Sequence, residues 1–339
     1  MKQTFLQYRT TFFVLIGVTI ISLFVSLFPL ELKLTAPGLN SEVGDFITIE
    51  EAYPVEGSLH TTSVISLDRV TLLQYLVGEF ENKVDIEEYP EYYDTIDVSD
   101  LTITGSLYHD DSLVKSLIVG ISRTNHTIDY ETNTMVYLTY NYLDADTIEI
   151  GDIVLSVNGS TDINTAIQEV ACNATGEFVV LRDDQELTYT ITKHQLDDYC
   201  AFGLFVRDFS EILTTDVQYT IHQSHVGGSS GGLLQTLYVY NALTPNDITG
   251  GLKIAGTGTI RVDGSVGAIG GVRQKIITAS MNNIDVFFVP HLSDSENDNY
   301  VVAMKTFEEL SSNMIIVPVT SFDDALDYLE GRFGGAYDE

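Results

Sequence analysis

The chain has 339 residues, enough for two or three compact domains, and 44% of them are hydrophobic, so cores rather than disorder are expected. Its formal charge of -33, with only 16 Lys and Arg, excludes nucleic acid as a partner, because phosphate binding requires a basic stripe. The acidity reads as a solvated surface.

Residues 1–10 read as a short cytoplasmic segment and 11–30, TFFVLIGVTIISLFVSLFPL, as a transmembrane helix. This uncharged run rises ~1.5 Å per residue, matching a hydrocarbon core of about 30 Å. It exceeds the usual h-region of a signal peptide and no small-x-small cleavage site follows, so it is expected to be retained. Lys2 and Arg9 precede the run, whereas Glu31 offsets Lys33 after it, which points the N-terminus inward and the rest of the chain outward. The expected localisation is therefore a single-pass cell-membrane protein with its catalytic part extracytoplasmic. Cys172 and Cys200 fit that compartment either as one disulfide or as two buried thiols.

Residues 31–116 read as a β-rich juxtamembrane region, with short alternating strands such as Phe46–Ile49 and His60–Ile65. An acidic, tyrosine-rich insert, Glu79–Tyr93, interrupts them as surface helix or loop. From Leu117 the pattern sharpens. Met135–Thr139 alternates like a strand, and Ile148–Gly159 gives a turn, a strand and an Asn-Gly turn. Thr161–Ala171 has helical spacing, with Ser160 or Thr161 as N-cap. Glu177–Leu181 and Glu186–Thr192 close the unit as a hairpin. This order, with Gly151-Asp-Ile-Val-Leu-Ser-Val-Asn-Gly159, resembles a PDZ domain of the bacterial protease-associated kind, over residues 117–200. The resemblance implies binding of an extended peptide at a sheet edge. The family's carboxylate-loop glycine is absent near Met135.

His225-Val-Gly-Gly-Ser-Ser-Gly-Gly-Leu233 follows the alternating Val217–Ile221 and precedes a helical run to Leu243. A phosphate loop would need a Gly-Lys-Ser/Thr ending, which is missing from the chain. Gly228-Ser-Ser-Gly-Gly232 also fits the nucleophile-elbow spacing, but the only histidine after Ser230 is His291, and little chain remains for a hydrolase sheet. His222 and His225 lie at odd separation, so an alternating strand would put them on opposite faces. No Cys/His cluster has zinc spacing, and Asp294, Glu296 and Asp298 lack the glycine and final glutamate of a calcium hand, so no metal or cofactor is expected.

Downstream come Lys253–Ile260, a strand pair joined at Asp263-Gly264, Ile269-Gly-Gly271, Arg273-Gln-Lys275 opening a helix, Phe287-Phe-Val-Pro290 and a closing helix, Ser321–Leu329. In this order the pieces from about 203 to 331 resemble the proteolytic domain of Lon. The whole arrangement resembles membrane-anchored bacterial Lon-like serine proteases with a PDZ domain and no ATPase. The expected fold is thus α+β: a transmembrane helix, the β-rich region, the PDZ domain and a Lon-type α/β domain over 203–335.

The resemblance implies roles residue by residue: Ser230 as nucleophile, Lys275 as general base and Thr257 as the hydroxyl that aims the lysine. Gly227, Gly228, Ser229 and Gly231 form the substrate and oxyanion region. Ser229 stands where the family has proline and Gly231 where it has alanine, so Ser229 competes with Ser230 as nucleophile. The chemistry is coherent, because a serine needs a base and a lysine becomes one only when burial lowers its pKa. Ile269, Val272, Ile276 and Ile277 would supply that burial. The expected activity is ATP-independent endopeptidase cleavage of peptides or proteins outside the membrane. The resemblance also implies a homo-oligomer, since such domains assemble into rings. A second reading is a non-catalytic peptide-binding scaffold on a degenerate protease fold, with the two departures as its support.

Overall fold

A computed structural model describes residues 2–140, 147–196, 199–224 and 226–333. Helix α1 (Lys2–Leu27) is continuous, and its stretch Tyr8–Leu27 is long and apolar enough to cross a membrane, with mean hydropathy 2.3 and none of that window buried. The candidate span therefore begins earlier than residue 11 and stops before residue 30. Pro29 disfavours helical geometry at the residue ahead of it, which is why the helix ends there.

The chain then forms β1 (Leu32–Glu42), β2 (Ile47–Ile49), β3 (Ser58–Leu67), α2 (Leu72–Glu79), β4 (Asp85–Glu88) and α3 (Val98–Ser122). Strands β5 (Ile128–Thr139) and β6 (Ile153–Val157), helix α4 (Ile163–Glu169), then β7 (Thr175–Arg182), β8 (Gln185–Thr192), β9 (His194–Leu196), β10 (Tyr199–Ala201) and β11 (Leu204–Thr215) follow. The remainder comprises β12 (Tyr219–Ile221), α5 (Gly232–Ala242), β13 (Lys253–Gly256), β14 (Thr259–Ile260), β15 (Val266–Gly267), α6 (Val272–Met281), β16 (Val286–Pro290), α7 (Asn299–Glu308), β17 (Ile315–Val319) and α8 (Phe322–Phe333).

The main sheet has the order β17-β16-β13-β3-β1-β4. Strands β17, β16, β13 and β3 run parallel, and β1 and β4 continue it antiparallel. This corrects the reading of residues 31–116 as a separate β-rich region. Half of the strands that carry the site come from before residue 89, and they share a core with later elements: Val43 and Leu59 pack with Leu233, Leu237, Ile254 and Phe288.

The second correction is α3. Its 25 residues run through Leu117, the expected start of the PDZ-like unit, and half of the segment read as strand is helix. Thr102, Ile103, Thr104 and Gly105 weaken its intrinsic propensity. Burial decides instead: Leu113, Leu117 and Ile121 recur at helical spacing and are fully buried against Phe46, Ile47 and Val239.

Strands β11-β5-β6-β7-β8 form a five-stranded antiparallel sheet around Phe178, Val136, Val157 and Phe202. The expected hairpin is present, and its turn residues Asp183 and Asp184 both have positive φ, the geometry that suits the strand twist. Helix α4 is capped by Asp162, whose carboxylate accepts from the Thr165 N–H at 3.2 Å, and not by Ser160 or Thr161. Its C-terminus is closed by the buried Lys193, whose ammonium donates to the carbonyls of Ile167 and Val170, both at 2.8 Å.

The open question about the cysteines resolves in favour of a disulfide, Cys172–Cys200, with Cα atoms 5.7 Å apart across a separation of 28 residues. Closing a loop of that size restricts the unfolded chain by about 3 kcal/mol. Dithiothreitol, or the pair Cys172→Ser and Cys200→Ser, should lower the unfolding midpoint of this unit by that amount in a denaturant titration. An unchanged midpoint would show the bridge to be energetically silent.

Candidate active site

The glycine cluster ends in α5, whose N-cap is Gly231. Ser230 lies immediately ahead of the helix and its carbonyl accepts from the Gly258 N–H at 2.8 Å. Gly228 adopts φ +90°, open to glycine and strained for other residues, and its N–H donates to the Gly105 carbonyl of α3 at 2.8 Å. At Gly231 a methyl group would lie 2.9 Å from the Thr61 side chain, so the departure from alanine has a local steric reason. The N–H groups of Ser230 and Gly231 have no acceptor among the described residues. They sit at the positive end of α5, where an oxyanion would be stabilised.

Lys275 comes from the first turns of α6. Gly271, in the left-handed conformation at φ 67°, starts that helix, and its carbonyl accepts from the Lys275 N–H at 3.1 Å. Arg273 and Gln274 both bond to Asp85, Arg273 at 2.7 Å, which clamps the helix start to β4. The Lys275 amine lies 2.6 Å from Ser230 Oγ and 3.0 Å from Thr257 Oγ1. Thr257 donates in turn to the Ser230 carbonyl at 3.0 Å. The three residues singled out by sequence thus meet at one point.

Lys275 is 2% exposed and Thr257 fully buried. Val272, Ile276 and Ile277 are buried alongside on the same helix, and no carboxylate offsets the ammonium. Burial alone lowers the lysine from 10.5 to about 7. Because Thr257 bridges amine and backbone, Thr257→Val should misaim the amine and cost on the order of 10–100-fold in kcat, while Thr257→Ser restores most of it. Equal rates for wild type and Thr257→Val in a peptide-cleavage assay would remove Thr257 from the site.

A groove of about 840 Å³ opens onto Ser230 and Lys275. Gly227, Gly228 and Gly231 line it at one end, and Leu39, Val64 and Ile65 of the β1–β3 hairpin extend it. Ser229 is not among its lining residues. Its carbonyl is held by Ser112 Oγ of α3 at 3.3 Å, and neither bond of the Lys275 amine goes to it.

Sequence reasoning missed the α3 brace altogether. Ser112 Oγ also donates to Gln235 at 2.8 Å, and Ser116 Oγ bonds to the Gly232 carbonyl at 3.0 Å, so one helix face supports the whole loop. His109, one turn earlier, is 4% exposed, lines the groove and has an Nε2 without a partner among the described residues. Burial pushes its pKa down, opposed by Asp110 and a backbone hydrogen bond to Gly228. The spacing of Ser112, Ser116, Leu113 and Leu117 was the available signal.

The other candidates fall elsewhere. His222 pairs with Thr48 at 2.8 Å, and His225 lies outside the described residues. His291 bonds to Asp298 at 3.0 Å. Asp298 caps α7 and accepts from the N–H groups of Leu292, Ser293 and Tyr300, which gives the acidic loop a structural task.

The same region has recognisable counterparts. Residues 222–330 match the Lon protease (S16) C-terminal proteolytic domain. A Lon protease of Metamycoplasma arthritidis (strain 158L3-1) is 26% identical over 162 residues, covering 47% of this chain and 18% of that protein. A Lon protease of Fusobacterium nucleatum subsp. nucleatum is 29% identical over 145 residues, 43% of this chain and 17% of its own length. A Lon protease of the Aster yellows witches'-broom phytoplasma (strain AYWB) is 31% identical over 99 residues, 29% and 11% respectively. The matched stretch therefore spans less than a fifth of these relatives. The Lon-type match supports a serine peptidase, and it contains Ser230, Thr257 and Lys275 within its bounds.

Proposed function

We propose that this protein is an ATP-independent, membrane-anchored serine endopeptidase in which Ser230 attacks the scissile carbonyl and Lys275 takes its proton. The observation that carries the reading is the 2.6 Å contact between Ser230 Oγ and an amine whose pKa burial holds near 7. In its neutral form the amine accepts the serine proton as the Oγ–carbon bond forms, and it returns that proton to the leaving amine as the peptide bond breaks. Water then hydrolyses the acyl-enzyme with the same lysine as base. The Ser230 and Gly231 N–H groups would hold the oxyanion.

Strand β13 pairs with β3 only over Ser58–Thr61, so the edge from Thr62 to Ser66 that lines the groove is unpaired on that side. An extended substrate segment can add there by backbone hydrogen bonds. Leu39, Val64, Ile65 and Val272 favour uncharged side chains in that segment. A substrate that must lie extended is an unfolded loop or terminus. The five-stranded unit, read as a PDZ-like domain, would present or gate such segments through α3, which bonds to it at Thr104–Tyr137 (2.5 Å) and to the glycine loop at Gly105. Helix α1 places the protein in a membrane, with the groove on the outer side by the charge bias of its flanks. The test is cleavage of an unfolded protein by the full chain in detergent micelles without nucleotide. Failure to cut any unstructured substrate would favour the peptide-binding scaffold.

A further inference from the structure

Helix α2 carries an apolar stripe on the side that faces away from the protein. Leu73, Leu76, Val77 and Phe80 follow the i, i+3, i+4, i+7 spacing of one helix face. They are 45%, 44%, 62% and 91% exposed. The opposite face packs inward: Gly78 is buried, with room for no more than a hydrogen against Ile86 and Leu34, and Tyr75 is half-buried. An eight-residue helix with a capping box at Thr71 is well formed. Nothing in the fold covers its outer face.

We infer that this face is covered by the lipid bilayer, as an interfacial helix beside the span. The inference rests on the anchoring proposed above, and three observations select lipid over a protein partner. First, α2 is fixed at the exit of α1: the Leu72 N–H donates to the Phe28 carbonyl at 3.1 Å, and Pro29 bridges Thr71. Second, the stripe continues the exposed apolar surface of α1, where Phe24, Leu27 and Phe28 are 54%, 69% and 45% exposed. Third, the neighbouring side chains have the character of a headgroup layer. Arg69 lies over the Tyr89 ring at 5.2 Å and Lys33 over the Tyr93 ring at 5.6 Å. Glu79 is the only ionisable acidic or basic group in α2, so apolar burial and not attraction to anionic lipid would hold it.

The consequence concerns substrate access. Lys33, Asp85 and Glu87 line the groove at the end nearest α1 and α2. Docking of α2 holds that end against the membrane surface, so the groove meets segments that emerge from the bilayer.

The chain contains no tryptophan, so single tryptophans report without background. The full chain would be reconstituted into phosphatidylcholine vesicles as Phe80→Trp, Val77→Trp, Phe24→Trp and Met281→Trp. Phe80→Trp and Val77→Trp should shift to the blue and be quenched roughly twofold by acyl chains brominated ~5–10 Å below the headgroups, the depth of interfacial helices. Met281→Trp, on the exposed end of α6, should stay unquenched. Quenching of Phe24→Trp with none at residues 77 and 80 would overturn the inference and leave the anchor standing. Shielding of residues 77 and 80 from iodide without lipid quenching would overturn it in favour of a second copy or another protein. Absence of quenching at residue 24 would overturn the anchor and this inference together.

Discussion

Ser230→Ala is expected to lower kcat by at least about 10³-fold, whereas Ser229→Ala stays within a few-fold of wild type. The asymmetry follows from the site. Ser230 Oγ contacts the Lys275 amine and lines the groove, while Ser229 makes no side-chain bond to that amine and contributes its carbonyl to the α3 brace. A nucleophile has no substitute, so its removal leaves only substrate positioning and the oxyanion donors, which are worth a residual acceleration and no acyl-enzyme. Both variants should melt with the wild type, since neither removes buried apolar volume. The measurement is single-turnover cleavage of an unfolded substrate, paired with a thermal melt. Loss of activity in Ser229→Ala with retention in Ser230→Ala would reverse the assignment.

The second large effect is a pH dependence carried by Lys275. The amine is a base only when neutral, so kcat/KM should rise with pH through about 7 and level off above it. Lys275→Arg and Lys275→Met should both be inactive across the range, because a guanidinium does not deprotonate and a thioether does not accept the proton. Stability supplies an independent reading with its own sign. Below about pH 7 the lysine is protonated in both folded and unfolded chains, and it contributes no slope. Between about 7 and 10.5 the unfolded chain holds one proton more than the folded one, so stability rises with pH, by at most about 1.4 kcal/mol per unit. Lys275→Met should lose that rise and gain stability at low pH, where burying the ammonium is costly. Parallel stability curves for the two proteins would mean that the lysine titrates normally, and the proposed base would fall with it.

The brace explains why these residues can be placed so closely. Ser112 and Ser116 reach the loop carbonyls from a helix whose other face holds the five-stranded sheet, through Asp111 to the Ser210 N–H at 3.1 Å and Asp100 to Thr139 at 2.8 Å. Movement of that sheet would be transmitted to Gly228 and Ser229 by one rigid element. The glycine loop is thus held from two sides, by α3 and by the Thr257–Gly258 turn.

The site was legible in sequence because its chemistry sits in short, ordered motifs. Gly-Gly-Ser-Ser-Gly-Gly, Gly-Thr-Gly-Thr and Arg-Gln-Lys each combine residue types with few other uses, and their order identified Ser230, Thr257 and Lys275. The apolar run 11–30 was legible for the same local reason, although Pro29 moved its end. The strands of residues 31–88 were read as strands but assigned to the wrong body. Their parallel pairing of Ser58–Thr61 with Lys253–Gly256 spans most of the chain, and alternation of residue types names a strand without naming its neighbour.

What sequence alone determined was the inventory: an apolar span, a glycine-rich turn before a helix, and a serine, a threonine and a lysine in a Lon-like order. The tertiary structure decided what that inventory can do. Only packing could turn Lys275 into a base, because its pKa depends on a burial that no local pattern reports. Only packing could make α3 a helix against its own β-branched and glycine residues, through fully buried Leu113, Leu117 and Ile121. And only the fold could leave Leu73, Leu76, Val77 and Phe80 facing outward, since the same stripe in sequence would serve equally well as a core.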